Sequence, residues 1–253
     1  MLWVGGLVFF YPSPPPLGAP AALGISSGVS AFTTMRPLDF SSTFQRDDPV
    51  GATRQRQQLQ RRAGVGAIQW LDQVHGRDVI QASRQTAQST PTADAAWTSE
   101  PGLGLAIRTA DCAPVVLFAK RKDADAIAAV HCGWRGTVAG IIEYTLAALS
   151  TPPERISAWI GPTICPNCYE VDAPVRDRLS EPERDAVLTD GRDAQHWWLD
   201  LAGLVSHRLQ GAGVHSVAST GLCTAHDAGF YSHRDRGDRG RMATVAWLRG
   251  SPT

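Results

Sequence analysis

Three side chains with affinity for a soft or borderline metal ion, His75, Cys112 and His131, each stand where a short apolar run ends. Two imidazoles and one thiolate hold zinc while leaving a fourth tetrahedral position open, where a water can be polarised. Their spacing matches no compact zinc-finger pattern, so the fold would have to assemble the site. Taken separately, His75 and His131 also read as hydrogen-bonded core residues. His131 is followed by Gly133-Trp134-Arg135-Gly136, a turn, and then by Val138, Ile141, Ile142, Thr145, Leu146 and Leu149. That stripe is one apolar face of a 3.6-residue period and predicts a helix over Val138–Ser150. A helix start offers unpaired N–H groups to an anion, and Arg135 adds a planar cationic fork suited to phosphate or carboxylate.

Other residues nearby have two readings. Asp111, beside Cys112, is either a general base or orienting partner for the centre, or an Asx-turn residue. Cys132 is a candidate second thiol or nucleophile, although neighbours along a strand point to opposite faces. Gln73 shares a strand face with His75, which would bring an amide beside the metal. Arg234 and Arg241 lie in a basic run interleaved with Asp235 and Asp238, either a solvated loop or a wall of the pocket. Cys165-Pro166-Asn167-Cys168 is a lone C-x-x-C without a second pair and reads as structural thiols.

These residues must be positioned by strands expected at Val29–Thr34, Ile68–Leu71, Leu103–Thr109, Val115–Ala119, Ile127–Val130, Ala158–Ile160 and Met242–Leu248. Helical patterns appear at Val50–Arg62, Val138–Ser150, Ala173–Leu188 and Leu201–Leu209. The strands do not alternate regularly with the helices, so the pattern predicts α+β or a layered α/β sandwich. No G-x-G-x-x-G or P-loop follows any strand. The 253 residues, 43% of them hydrophobic, are read as one catalytic domain over 23–253. It is preceded by a Pro-rich, weakly ordered arm over 1–22, with five prolines between Tyr11 and Pro20. Lys plus Arg equals Asp plus Glu at 24 each, which points away from nucleic acid and anionic membranes and toward a small ligand. Five cysteines are an odd number for a disulfide framework, and the apolar N-terminus lacks a basic n-region, so reduced thiols in a cytoplasm are expected. The oligomeric state, monomer or homodimer, is left open.

Several motifs together carry a family resemblance: Trp70-Leu71-Asp72-Gln73-Val74-His75-Gly76, Thr109-Ala110-Asp111-Cys112-Ala113-Pro114-Val115, and Ala129-Val130-His131-Cys132-Gly133-Trp134-Arg135-Gly136-Thr137. To these add Ile160-Gly161-Pro162, Cys168-Tyr169-Glu170-Val171, Cys223-Thr224, Phe230-Tyr231-Ser232 and Gly240-Arg241. Over roughly Gly28 to Leu248 the chain resembles the bacterial family once called polyphenol oxidase or laccase-domain proteins, now described as purine nucleoside phosphorylases with adenosine deaminase activity. The resemblance implies that His75, Cys112 and His131 are ligands of zinc, with copper as the alternative. It also implies a four-layer α-β-β-α sandwich with mixed sheets, like the catalytic domain of cytotoxic necrotising factor.

The implied activity is phosphorolysis of adenosine, inosine, guanosine or 5′-methylthioadenosine, with deamination of adenosine, using nucleoside and phosphate. A copper-dependent oxidase of phenols is the second hypothesis; the seven histidines, however, include no His-x-His pair from which a multicopper cluster is built. The third is a non-catalytic metal module whose fourth position is closed by Cys132. The chain departs from the family pattern in a shortened loop after Thr33-Thr34, in Arg54-Gln55-Arg56 for Glu-Asn-Arg, and in Ser232-His233-Arg234-Asp235-Arg236 for Ser-Tyr-Arg-Arg-Asp. These departures fall on the substrate side.

Overall fold

Apolar runs without polar alternation belong to strands covered on both faces, and three seven-residue runs in this chain are buried at every position: Ala113–Ala119, Ala126–Cys132 and Met242–Leu248. They form the centres of two sheets. The computed structural model describes residues 2–4, 7–9 and 28–249. The Pro-rich stretch expected as an arm lies outside those residues, apart from a short pairing of β1 (Leu2–Val4) with β2 (Leu7–Phe9) upstream of it.

After β3 (Val29–Thr33) come α1 (Ser42–Asp47) and α2 (Pro49–Ala63). Asp48 caps α2 by accepting from the Gly51 N–H, and Gly64 ends it at φ 67. Next are β4 (Ala67–Gln69), β5 (Val79–Gln81), β6 (Ala95–Thr98), β7 (Leu103–Thr109), β8 (Ala113–Ala119) and β9 (Ala126–Cys132). Beyond them follow α3 (Trp134–Val138), α4 (Ile141–Leu149), β10 (Ile156–Ile160), β11 (Glu170–Asp172), α5 (Ala173–Arg176) and α6 (Glu181–Val187). The chain closes with β12 (Leu188–Asp190), β13 (His196–Leu199), α7 (Leu201–Gly211), β14 (Ser216–Ser219), α8 (His233–Arg236) and β15 (Met242–Leu248).

The larger sheet has six strands in the order β14-β10-β8-β9-β6-β5, with parallel pairs at both edges and antiparallel pairs within. A second sheet, β3-β15-β7-β4, pairs β4 and β7 in parallel. Both sheets are mixed, as expected. Leu105, Ile107 and Ala246 of the smaller sheet pack against Val116, Phe118, Ile127 and Ala129 of the larger one. The opposite face of the larger sheet is covered by Ile141, Ile142, Leu146 and Leu149 of α4 and Leu204, Val205 and Leu209 of α7. Leu59 and Ala63 of α2 cover the outer face of the smaller sheet with Phe40 and Trp70. The layers therefore run α-β-β-α.

Two helical expectations require correction. The helix read over Val138–Ser150 is divided at Gly140, whose φ of 95 only glycine adopts readily, and its first part begins earlier, at Trp134. The stripe from Ile141 to Leu149 is buried as its period requires. Ala173–Leu188 breaks where Ser180 and Glu183 form a capping box for α6, and Leu188 enters a strand.

Candidate metal centre

The donor residues meet where the ends of the two sheets face each other. Residues 127 and 129 of β9 point between the sheets while 126, 128, 130 and 132 point to the helices, and this alternation puts the His131 ring on the inter-sheet side. Cys112 immediately precedes β8, whose Ala113 pairs with Cys132. His75 lies on the connection between β4 and β5, which belong to different sheets. Its φ is 59, and that of Asp111 is 91, left-handed conformations costly for non-glycine residues and characteristic of functional sites.

One donor atom from each of His75, Cys112 and His131 lies within 4.8 Å of the other two. Cys112 Sγ is 3.8 Å from His75 Nε2. Ligand atoms around a tetrahedral ion at the usual bond lengths sit roughly 3.3–3.8 Å apart, so a small closure would complete the cage. Gly133 makes this approach possible, because a Cβ there would meet His75 Cδ2 at 2.8 Å and Cys112 Sγ at 3.0 Å.

Asp94, fully buried, orients the centre. Its Oδ1 lies 2.7 Å from His131 Nδ1, which turns Nε2 toward the other donors. The same carboxylate accepts the backbone N–H groups of Val74, His75 and Gly76. Burial pushes the Asp94 carboxyl up, but the His131 ring and these N–H groups hold it below its ordinary value. Burial likewise raises the Cys112 thiol, and the two imidazoles outweigh it, bringing the thiol down to about 6. For His131, burial is outweighed by the Cys112 sulfur and Asp94, and its value rises to about 9. Zinc or copper takes a thiolate and neutral imidazoles, so the Cys112 thiolate is already in its ligand form while binding of an ion would release the proton that Cys112 and Asp94 hold on His131.

The donors open onto a cleft of about 410 Å³ lined by Gln73, Arg108, Arg135, His233, Arg239 and Arg241 among others. Gln73 and Arg241 line it as expected, yet both are engaged: the Gln73 amide exchanges two hydrogen bonds with the Arg108 backbone, and Arg241 Nη1 donates to the carbonyls of Asp238, Arg239 and Gly240. Arg135 is exposed and its guanidinium stacks on Trp134, 4.6 Å from the ring centroid. It sits within α3 itself rather than in a turn before a helix.

Three expected residues do not reach the cleft. Cys132 is fully buried on the helix-facing side of β9, where burial raises its thiol well above its ordinary value; it is neither an accessible nucleophile nor a fourth donor. The Asp111 carboxylate is occupied by the Thr224 hydroxyl at 2.7 Å and the Arg234 N–H at 2.7 Å, so it orders the loop before Cys112 and orients no imidazole. The Arg234 side chain turns to the Glu170 carbonyl and the Tyr169 ring.

Asp94 and Arg108 were not anticipated. A lone carboxylate inside Ala93-Asp94-Ala95-Ala96, at the head of an apolar run, is the signal by which Asp94 could have been found, since a buried charge must be paired. Arg108 interrupts an otherwise apolar strand in the same way, and it too serves the cleft.

Residues 25–249 match the pattern of the family described as multi-copper polyphenol oxidoreductase laccase. The chain belongs to that family. A relative from Xylella fastidiosa strain Temecula1, named purine nucleoside phosphorylase, is 40% identical over 97% of each chain. A protein from Escherichia coli K12, named purine nucleoside phosphorylase YfiH, is 37% identical over 71% of this chain and 73% of its own. Among solved structures, NMB0706 from Neisseria meningitidis superimposes with a TM-score of 0.80 at 32% identity, covering 88% of this chain and 96% of the other. YlmD from Geobacillus stearothermophilus gives 0.79 at 28% identity, covering 88% and 93%. Among the described residues no helix is long and apolar enough to cross a membrane.

Proposed function

We infer that this chain is a metal-dependent purine nucleoside enzyme, acting by phosphorolysis on adenosine, inosine, guanosine or 5′-methylthioadenosine and deaminating adenosine, in the cytoplasm. The observation that carries this reading is one cleft lined both by a His-Cys-His donor set and by Arg108, Arg135, Arg239 and Arg241. The names of the relatives support the substrate class. A divalent ion on His75, Cys112 and His131, zinc by the donor chemistry, would supply Lewis acidity beside the substrate.

The chain's own groups supply the rest. Phosphorolysis needs an anion held against the ribose while positive charge develops at the anomeric carbon. Arg135, exposed and without an ion pair among the described residues, provides a bidentate fork for that anion. Asp94 keeps the His131 ring in one tautomer and direction throughout. His233 lines the same cleft and is our candidate for exchanging a proton with the purine. A cleft of this volume lies within the usual range for small-molecule sites.

The deciding experiment is chromatography of products from adenosine, inosine and 5′-methylthioadenosine incubated with zinc-loaded protein, with and without phosphate. Phosphate-dependent release of free base with a pentose 1-phosphate supports phosphorolysis, and inosine from adenosine supports deamination. If all three nucleosides are recovered unchanged, the reading is overturned. The family's description favours a copper oxidase as the second reading, for which oxygen consumption with a phenol must track copper content.

A further inference from the structure

The pair Cys165-x-x-Cys168 has a partner that its isolation in sequence conceals. Cys223-Thr224-Ala225-His226 is a second turn of the same spacing, and Cys223 follows Cys165 by 58 positions, as His226 follows Cys168. The two turns lie side by side. An isolated parallel bridge joins Thr163 to Cys223, the Thr163 N–H donates to Leu222, and the Thr224 N–H donates back to Thr163. One donor atom each from Cys165, Cys168, Cys223 and His226 falls within 4.8 Å of the other three. Cys168 Sγ lies 3.1 Å from His226 Nε2, and the Cys165 backbone N–H donates to Cys223 Sγ at 3.3 Å. All three cysteines are free thiols.

We propose that Cys165, Cys168, Cys223 and His226 bind a second ion, a structural zinc separate from the centre at His75, Cys112 and His131. Three thiolates and an imidazole form a closed, soft, four-donor set, the composition of structural zinc sites, and two C-x-x-C/H turns pinched together are the geometry that presents it. The backbone N–H aimed at the Cys223 sulfur stabilises a thiolate there. No donor position remains for a water or substrate, so the ion's work is mechanical. It clamps the segments carrying Thr163 and Thr224, whose hydroxyls hold the Asp111 carbonyl at 2.6 Å and its carboxylate at 2.7 Å. Asp111 in turn fixes the backbone before Cys112, so the clamp braces the first centre from behind.

The test counts metal in the full-length protein. Wild type purified without chelator is expected to carry two zinc per chain by elemental mass spectrometry. Cys165→Ser/Cys168→Ser should carry one fewer, and His75→Ala/Cys112→Ala should retain one. In the latter background every thiolate of the first centre is gone, so cobalt added after zinc removal should give thiolate-to-cobalt charge-transfer absorbance that zinc abolishes. His226→Cys should restore the ion that His226→Ala loses. The proposal is overturned if His75→Ala/Cys112→Ala holds no zinc and shows no thiolate–cobalt band. It is equally overturned if non-reducing peptide mapping of the freshly purified protein finds these cysteines joined in a disulfide.

Discussion

Asp94 fixes two of the three donors with one side chain: its Oδ1 lies 2.7 Å from His131 Nδ1 and also accepts the His75 N–H at 3.0 Å. Asp94→Asn keeps the volume but loses the charge and part of the acceptor capacity. We expect metal affinity to fall by roughly 10- to 100-fold, the usual effect of removing an orienting carboxylate. Competition with a chromogenic chelator measures this, and unchanged affinity would remove Asp94 from the centre.

Metal-free protein should show the thiolate directly. With the Cys112 thiol at about 6, alkylation of Cys112 by iodoacetamide should rise through that pH, whereas an unperturbed thiol titrates near about 8.5. The signs for stability follow. A depressed thiol value contributes stability that is lost as pH falls through about 6, and the raised His131 value contributes stability that is lost as pH rises through about 9. The two contributions offset each other between the unfolded values of about 6.5 and 8.5, so thermal melts of the chelated protein should plateau there and fall toward about pH 6 and about pH 9. A thiol midpoint at the unperturbed value would contradict the pairing.

Gly133→Ala adds one carbon where His75 and Cys112 already approach within 3.0 Å. The two side chains must separate, so the variant should fold yet bind zinc at least about tenfold more weakly, about 1.4 kcal/mol. Isothermal titration decides it, and wild-type affinity would mean that the donors close in another way.

Arg135→Ala should raise the Michaelis constant for phosphate about tenfold, about 1.4 kcal/mol, while leaving that for the nucleoside nearly unchanged. Arg135→Lys should recover only part of this, since an ammonium lacks the planar fork. Equal effects on both substrates would assign Arg135 to general positioning.

Cys132→Ala truncates a fully buried side chain that faces the helices. The expected cost is about 1 kcal/mol of stability, read as a lower Tm, with metal content and turnover retained. Loss of turnover in a fully folded, fully loaded variant would return Cys132 to the chemistry.

The convergence of His75, Cys112 and His131 was legible through the resemblance of their motifs to the family, because their spacing alone matches no metal-site pattern and each histidine also reads as a core residue. The stripe of α4 was legible from its period, down to Leu149. What escaped has physical causes. β5, β6, β11, β12, β13 and β14 are three or four residues long, too short for alternation to declare itself. The break at Gly140 depends on a left-handed backbone within an uninterrupted apolar pattern. Cys132 and His131 are adjacent in sequence and opposite in space, and only the sheet's placement between two layers decides which one meets the cleft. Asp111 looked like the catalytic carboxylate because it adjoins Cys112, whereas the partner of His131 lies 37 positions away from it.

The passage of the chain through His75, from one sheet to the other, couples the rim of the molecule to its interior. An ion held there fastens that connection, and the one before Cys112 between β7 and β8, to β9 of the larger sheet, so occupancy raises the free energy needed to pull these crossings away, and loosening either crossing would be felt in turn as weaker retention of the ion.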